Sequence, residues 1–118
     1  MKFFVVVVLL NERRDTMEQI NYLIELEAPI GIKHGKITAE IDGSEIAGIL
    51  NVMNADNSFT GTIDENGCCK IVGSVRSLLY TLNYIATGMM TKEFISLALK
   101  TDKYILKITG GADSEEIL

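Results

Sequence analysis

Glycine returning at a steady interval inside otherwise β-favouring segments is the feature that most constrains this chain. Gly35, Gly48, Gly61 and Gly73 come about every dozen residues, three of them in the settings Ile46-Ala-Gly48, Phe59-Thr-Gly61 and Ile71-Val-Gly73, and Ile108-Thr-Gly110 repeats the setting near the end. A strand glycine loses much entropy on folding and packs no side chain. Its regular return therefore marks bends or close backbone approach, as at the corners of a closing sheet. With one strand per unit the spacing predicts a barrel or a strongly curved sandwich rather than a solenoid.

Turn signals divide the chain at the same rhythm. From Ile20 to Ala28 apolar and polar residues alternate, a pattern that a helix from Met17 through Ile20, Leu23 and Ile24 fits at fewer positions. Pro29 ends the run, Gly31 and Gly35 are expected to bracket a loop holding His34, and Lys36 to Ile41 alternates again. Asp42-Gly43 reads as a tight hairpin turn with both central residues at positive φ. Turns at Asn54-Ala-Asp-Asn57 and Asp64-Glu-Asn-Gly67 separate strands over Glu45 to Met53, Ser58 to Ile63 and Cys68 to Val75.

Residues 75 to 87 satisfy two periods. Val75, Leu78, Leu79, Leu82, Ile85 and Ala86 suit a helix capped by Ser77 and ended by Gly88, whereas Leu78, Tyr80, Leu82, Tyr84 and Ala86 alternate; strand is the expectation. No charge occurs between Arg76 and Lys92, so something must bury this stretch. Phe94 to Lys100, a turn at Thr101-Asp-Lys103 and Tyr104 to Thr109 complete the series. The expectation is an all-β antiparallel meander of about 8–9 strands forming a small barrel or strongly curved sandwich. At 118 residues there is one domain, over residues 1–110, with 111–118 as a flexible acidic tail.

Charge and cysteine usage narrow the function. Lys and Arg number 11 against 16 Asp and Glu, a net charge of -5, the wrong sign for a nucleic-acid binder. The apolar run Phe3 to Leu10 is too short to span a bilayer, and Asn11-Glu-Arg-Arg-Asp-Thr16 after it has no small-x-small cleavage pattern. It reads as a strand buried on both faces or covered by a partner chain, with Met17 as an alternative start. Adjacent, unpaired Cys68 and Cys69 suit a reducing, cytoplasmic compartment, and with His34 the lone histidine no zinc site of usual spacing can be built. The Asp-containing turns lack the twelve-residue calcium loop, and neither a phosphate-binding loop nor a nucleophile elbow is present. No cofactor, no metal, no catalytic residue, no membrane and no nucleic-acid partner is expected.

The segments Tyr22-Leu-Ile-Glu-Leu-Glu-Ala-Pro-Ile-Gly-Ile-Lys33, Phe59-Thr-Gly-Thr-Ile-Asp-Glu-Asn-Gly67 and Tyr84-Ile-Ala-Thr-Gly88 span most of residues 20 to 110. With them the chain resembles small all-β domains of Gram-positive anaerobic bacteria, a likeness that implies a bacterial protein and brings no activity with it. In topology it resembles calycin-type barrels such as lipocalins, though it lacks their Gly-x-Trp near the first strand. Two functions fit. One is a non-enzymatic oligomerising or protein-interaction module, a homo-oligomer, because the uncharged stretches 3 to 10 and 77 to 91 exceed what one small core covers. The other is a barrel binding an apolar small molecule or lipid, with Tyr80, Tyr84, Met89 and Met90 lining its mouth or interior. Ala39, Ala47, Gly48, Gly61, Gly73, Ala86 and Ala98 bear on the choice: mostly inward they favour a cavity, yet with the glycines acting as bends a packed interior is expected.

Overall fold

The computed structural model describes residues 17–29, 31–77 and 79–113. Eight strands follow one another: β1 (Met17–Ala28), β2 (Gly31–Asp42), β3 (Glu45–Val52), β4 (Ala55–Ile63), β5 (Cys68–Arg76), β6 (Thr81–Met90), β7 (Phe94–Lys100) and β8 (Ile105–Ala112). Each pairs antiparallel with the next, and β8 pairs with β1 from Tyr22↔Ala112 to Glu27↔Lys107, so the sheet is a closed barrel with no free edge. The strand expected at Phe3 to Leu10 and the tail beyond Asp113 lie outside the described residues.

Closure sets the size of the interior. From Ile24 the ladders lead to Gly35, Val52 and Ala55; extended around the remaining strands they return to β1 ten residues beyond Ile24. That stagger tilts the strands, and eight tilted strands enclose a space that side chains can just fill. Alternation then sorts the residues. Tyr22, Ile24, Leu26, Ile37, Leu50, Phe59, Ile71, Tyr84, Leu97, Leu99 and Ile108 are buried inside, whereas Glu25, Glu27, Lys36, Glu40, Lys70, Lys100 and Lys107 face outward. A lipid-embedded barrel has the opposite arrangement, apolar outside and polar within.

The glycines mark the close backbone approach that their recurrence suggests. Gly48, Gly61 and Gly110 face inward where the neighbouring strand crosses so closely that a Cβ would stand 2.1 Å from Thr38 O, 2.1 Å from Lys70 O and 2.2 Å from Leu23 O, respectively. Across one belt of the wall the ladders pair Ile20 with Ala39, Ala39 with Gly48, Gly48 with Phe59, Phe59 with Gly73 and Gly73 with Tyr84. From Gly48 onward small and large residues alternate, and the rings of Phe59 and Tyr84 lie over Gly48 and Gly73 and take the space a side chain there would have needed.

Several local expectations are corrected. Residues 31–35 are not a loop: β2 begins at Gly31, and His34 sits in the ladder opposite Glu25. The first tight turn is Gly43-Ser44, with positive φ at Gly43 alone among the two, because Asp42 pairs with Glu45. The next turn is Met53-Asn54, both at positive φ (55° and 61°), so β4 starts at Ala55 within the stretch read as turn. Residues 75 to 87 are the end of β5, a reversal and the start of β6. Ser77 there uses the chemistry of a helix cap for a turn: its Oγ accepts from the Leu79 and Tyr80 amides at 3.4 Å and donates to Tyr80 O at 3.1 Å. Thr91 and Thr101 accept from following amides in the same way in the β6–β7 and β7–β8 turns. Finally, β8 runs through Gly110-Gly111 to Ala112, past the expected end of the domain.

Candidate functional site

Side chains fill the middle of the barrel. The internal void among Phe59, Tyr84, Met90, Leu50, Leu99 and Ile71 measures about 10 Å³, no more than one water could use. Ala39, Gly48, Gly61, Gly73 and Ala86 do point inward, and only Ala47 and Ala98 face out. The gaps at Gly48 and Gly73 are nonetheless taken up by the Phe59 and Tyr84 rings, and at Gly61 the backbone of Lys70 and Ile71 stands where a side chain would go.

The two mouths differ. The turns at Pro29, Met53-Asn54, Ser77–Tyr80 and Thr101–Tyr104 surround one end, where an open apolar cavity of about 60 Å³ is lined by Leu26, Val75, Leu82, Leu106, Tyr80 and Tyr104. Met53 also lines it, held at a φ that costs a non-glycine residue of order 1 kcal/mol. Lys33 lines the same opening, and the Lys103 Nζ stands over the Tyr80 ring, 5.4 Å from its centre. Just below, Asn57 secures the wall: its amide donates to Leu50 O at 3.2 Å, while its Oδ1 accepts from the Arg76 amide at 3.1 Å.

Acidic residues crowd the far mouth. Glu18, Asp42, Glu45, Asp64, Glu65, Glu93 and Asp113 lie on the strand ends and turns there, with Lys92 as the cation beside them, 3.3 Å from Glu18. Tyr22 reaches up to this end and donates its hydroxyl to Thr91 O at 2.6 Å. The opening contains a wide polar hollow lined by Glu18, Asp64, Glu65 and Lys92 around Ile20 and Ile41.

The four residues expected to line a ligand site do not gather at one place. Tyr84 and Met90 are buried in the packed interior, Tyr80 stands at the apolar mouth, and Met89 lies on the outer face between Cys68 and Ser96. Tyr104, Leu82, Leu106 and Met53 belong to the mouth and were not singled out in the sequence. Their one shared signal is position, since each is an apolar or aromatic residue flanking a turn at the same end.

The buried ionisable groups are held neutral. Burial pushes the Tyr84 hydroxyl up to about 12. Burial, with Cys69 and Glu18 nearby, takes Tyr22 to about 12 as well. The Cys69 thiol rises to about 11 through burial, Cys68 and Asp64, which leaves little thiolate for chemistry at neutral pH. His34 and Glu25 face each other at 4.0 Å on the open outer wall. Among the described residues no three His, Cys, Asp or Glu side chains cluster as metal ligands. No family model, curated protein or solved structure matches the chain.

Proposed function

We propose that this barrel is a non-enzymatic interaction module that takes an apolar side chain of a protein partner into the mouth framed by Tyr80 and Tyr104. The observation that carries this reading is the contrast between a filled interior, with its void of about 10 Å³, and an open apolar mouth of about 60 Å³. Space of that size suits one aliphatic side chain, while a lipid tail would need the barrel to empty. Aromatic rings with exposed edges are also the residues that most often anchor protein contacts. Among the described residues ten large hydrophobic side chains, Ile32, Ile85 and Ile105 among them, are exposed, which supports self-association as part of the same role. Unpaired Cys68 and Cys69 fit a reducing, cytoplasmic setting.

Methyl NMR separates this from the small-molecule reading. Hexapeptides carrying a single Leu, Ile or Phe should shift the methyl groups of Leu82, Leu106 and Met53. Fatty acids of eight to sixteen carbons should leave Leu50, Leu99 and Ile71 unmoved. Interior methyl shifts together with a raised melting temperature in fatty acid would replace the interaction module with a lipid-binding barrel.

A further inference from the structure

We infer that the occupant of the apolar mouth is the segment Ser114–Leu118 of a second copy of this chain, an inference that rests on the interaction reading above. Three observations lead to it. The first is chemistry: Ser-Glu-Glu-Ile-Leu places two carboxylates directly before two aliphatic side chains. The mouth offers the complement, an apolar hollow between Tyr80 and Tyr104 with Lys33 in its lining and Lys103 held over Tyr80. With Ile117 or Leu118 in the hollow, Glu115 and Glu116 fall at the level of the two lysines.

The second observation is reach. The chain leaves the barrel at Asp113, whose amide is tied to Asn21 O at 2.8 Å at the acidic end. From the mouth to that end β8 takes eight residues, roughly 26 Å at about 3.3 Å each. Five further residues span at most about 18 Å, too little to go back along the barrel and turn over the rim. The segment cannot fill its own mouth, but it can fill a neighbour's.

The third is the charge of the two ends. A segment docked in this way brings the acidic end of one barrel, with Glu18, Asp64, Glu65 and Glu93, toward the lysine-bearing mouth of the next. The other stretch outside the described residues, before Met17, carries Lys2, Arg13 and Arg14 against Glu12 and Asp15, a net charge of +1 that offers Lys33 and Lys103 less than the two adjacent carboxylates Glu115 and Glu116 do. Because the contact joins opposite ends, it is heterologous and grows open chains of barrels rather than closed dimers.

A fluorescently labelled peptide of residues 110–118, titrated with the full chain, tests this. We expect saturable binding at micromolar to submillimolar peptide, weakened about tenfold by Ile117→Asp with Leu118→Asp in the peptide, or by Tyr80→Ala in the barrel. Lys103→Glu should weaken it about three- to fivefold, and added salt should weaken it further. In light scattering, the mean mass of the full chain should rise with concentration, and the full chain carrying Ile117→Asp and Leu118→Asp should remain monomeric. Tyr80 lies at the rim, so its loss leaves the core packing intact, and an unchanged melting temperature checks this. If the hexapeptides bind the mouth but residues 110–118 do not, this inference fails and the interaction reading stands. If neither binds, both fail. Binding equally strong with Glu115→Lys and Glu116→Lys overturns the charge argument and with it the choice of segment, as does association abolished only by removing residues 1–16.

Discussion

Gly48 shows at the scale of one residue why this wall needs glycine. Its missing Cβ is where Thr38 O and the Phe59 ring already stand, at 2.1 and 2.7 Å. Alanine there has to move backbone, so Gly48→Ala is expected to destabilise the barrel by at least about 2 kcal/mol in urea unfolding. Gly43 is needed for a different reason, since its φ is +64° but nothing lies within 4 Å of its Cβ position. Gly43→Ala should therefore cost only the left-handed strain, about 1 kcal/mol. Equal losses at the two sites would show that crowding between strands is not what fixes Gly48.

Among the elements, the β3–β4 hairpin is the one whose turn is least suited to its conformation. Met53 and Asn54 both take positive φ, the pattern of a type I′ turn, which favours Asn-Gly. The hairpin is closed by an Asn51 Nδ2 to Asp56 Oδ1 bond of 2.6 Å across the strands. Asn54→Gly should raise the stability by about 0.5 kcal/mol, read as a higher urea midpoint, and leave peptide binding at the mouth unchanged. A lower midpoint would mean that the Asn54 side chain supports the turn in a way its φ does not reveal. Met53 is strained for position: in the turn its side chain reaches the mouth and packs against the core.

On the scale of the whole molecule, closure puts Tyr22, Tyr84 and Cys69 on the inside, and their neutral forms become part of the fold. Each folded value lies above the ordinary one: about 12 against 10.0 for the tyrosines, about 11 against 9.0 for the cysteine. Their contribution is fully present below about pH 9 and is lost as the unfolded chain, but not the folded one, ionises between roughly pH 9 and 12. Urea midpoints should stay level from pH 7 to 9 and fall steeply above pH 10. Tyr22→Phe, while losing the 2.6 Å bond to Thr91 O, should make that fall shallower. A flat profile to pH 12 would place those hydroxyls in contact with water.

By itself the sequence determined the elements and their order. Period-two alternation, Asp-Gly and Asp-Glu-Asn-Gly turns and glycine at a steady interval are local properties, because strand pleating and turn dihedrals are satisfied within a few residues. Boundaries slipped where two conformations use the same chemistry: Ser77 can cap a helix or a turn, and His34 between glycines can lie in a loop or a ladder. Of the mouth only Tyr80 was legible. Leu26, Met53, Leu82 and Tyr104 come from four different strand ends or turns and meet only because β8 closes on β1 with a particular stagger. The same closure separates Tyr84 and Met90 from Tyr80, and Met89 from all three. Register between strands far apart in sequence depends on packing the whole interior at once, and so the tertiary structure alone decides which apolar residues are core and which remain open to a partner.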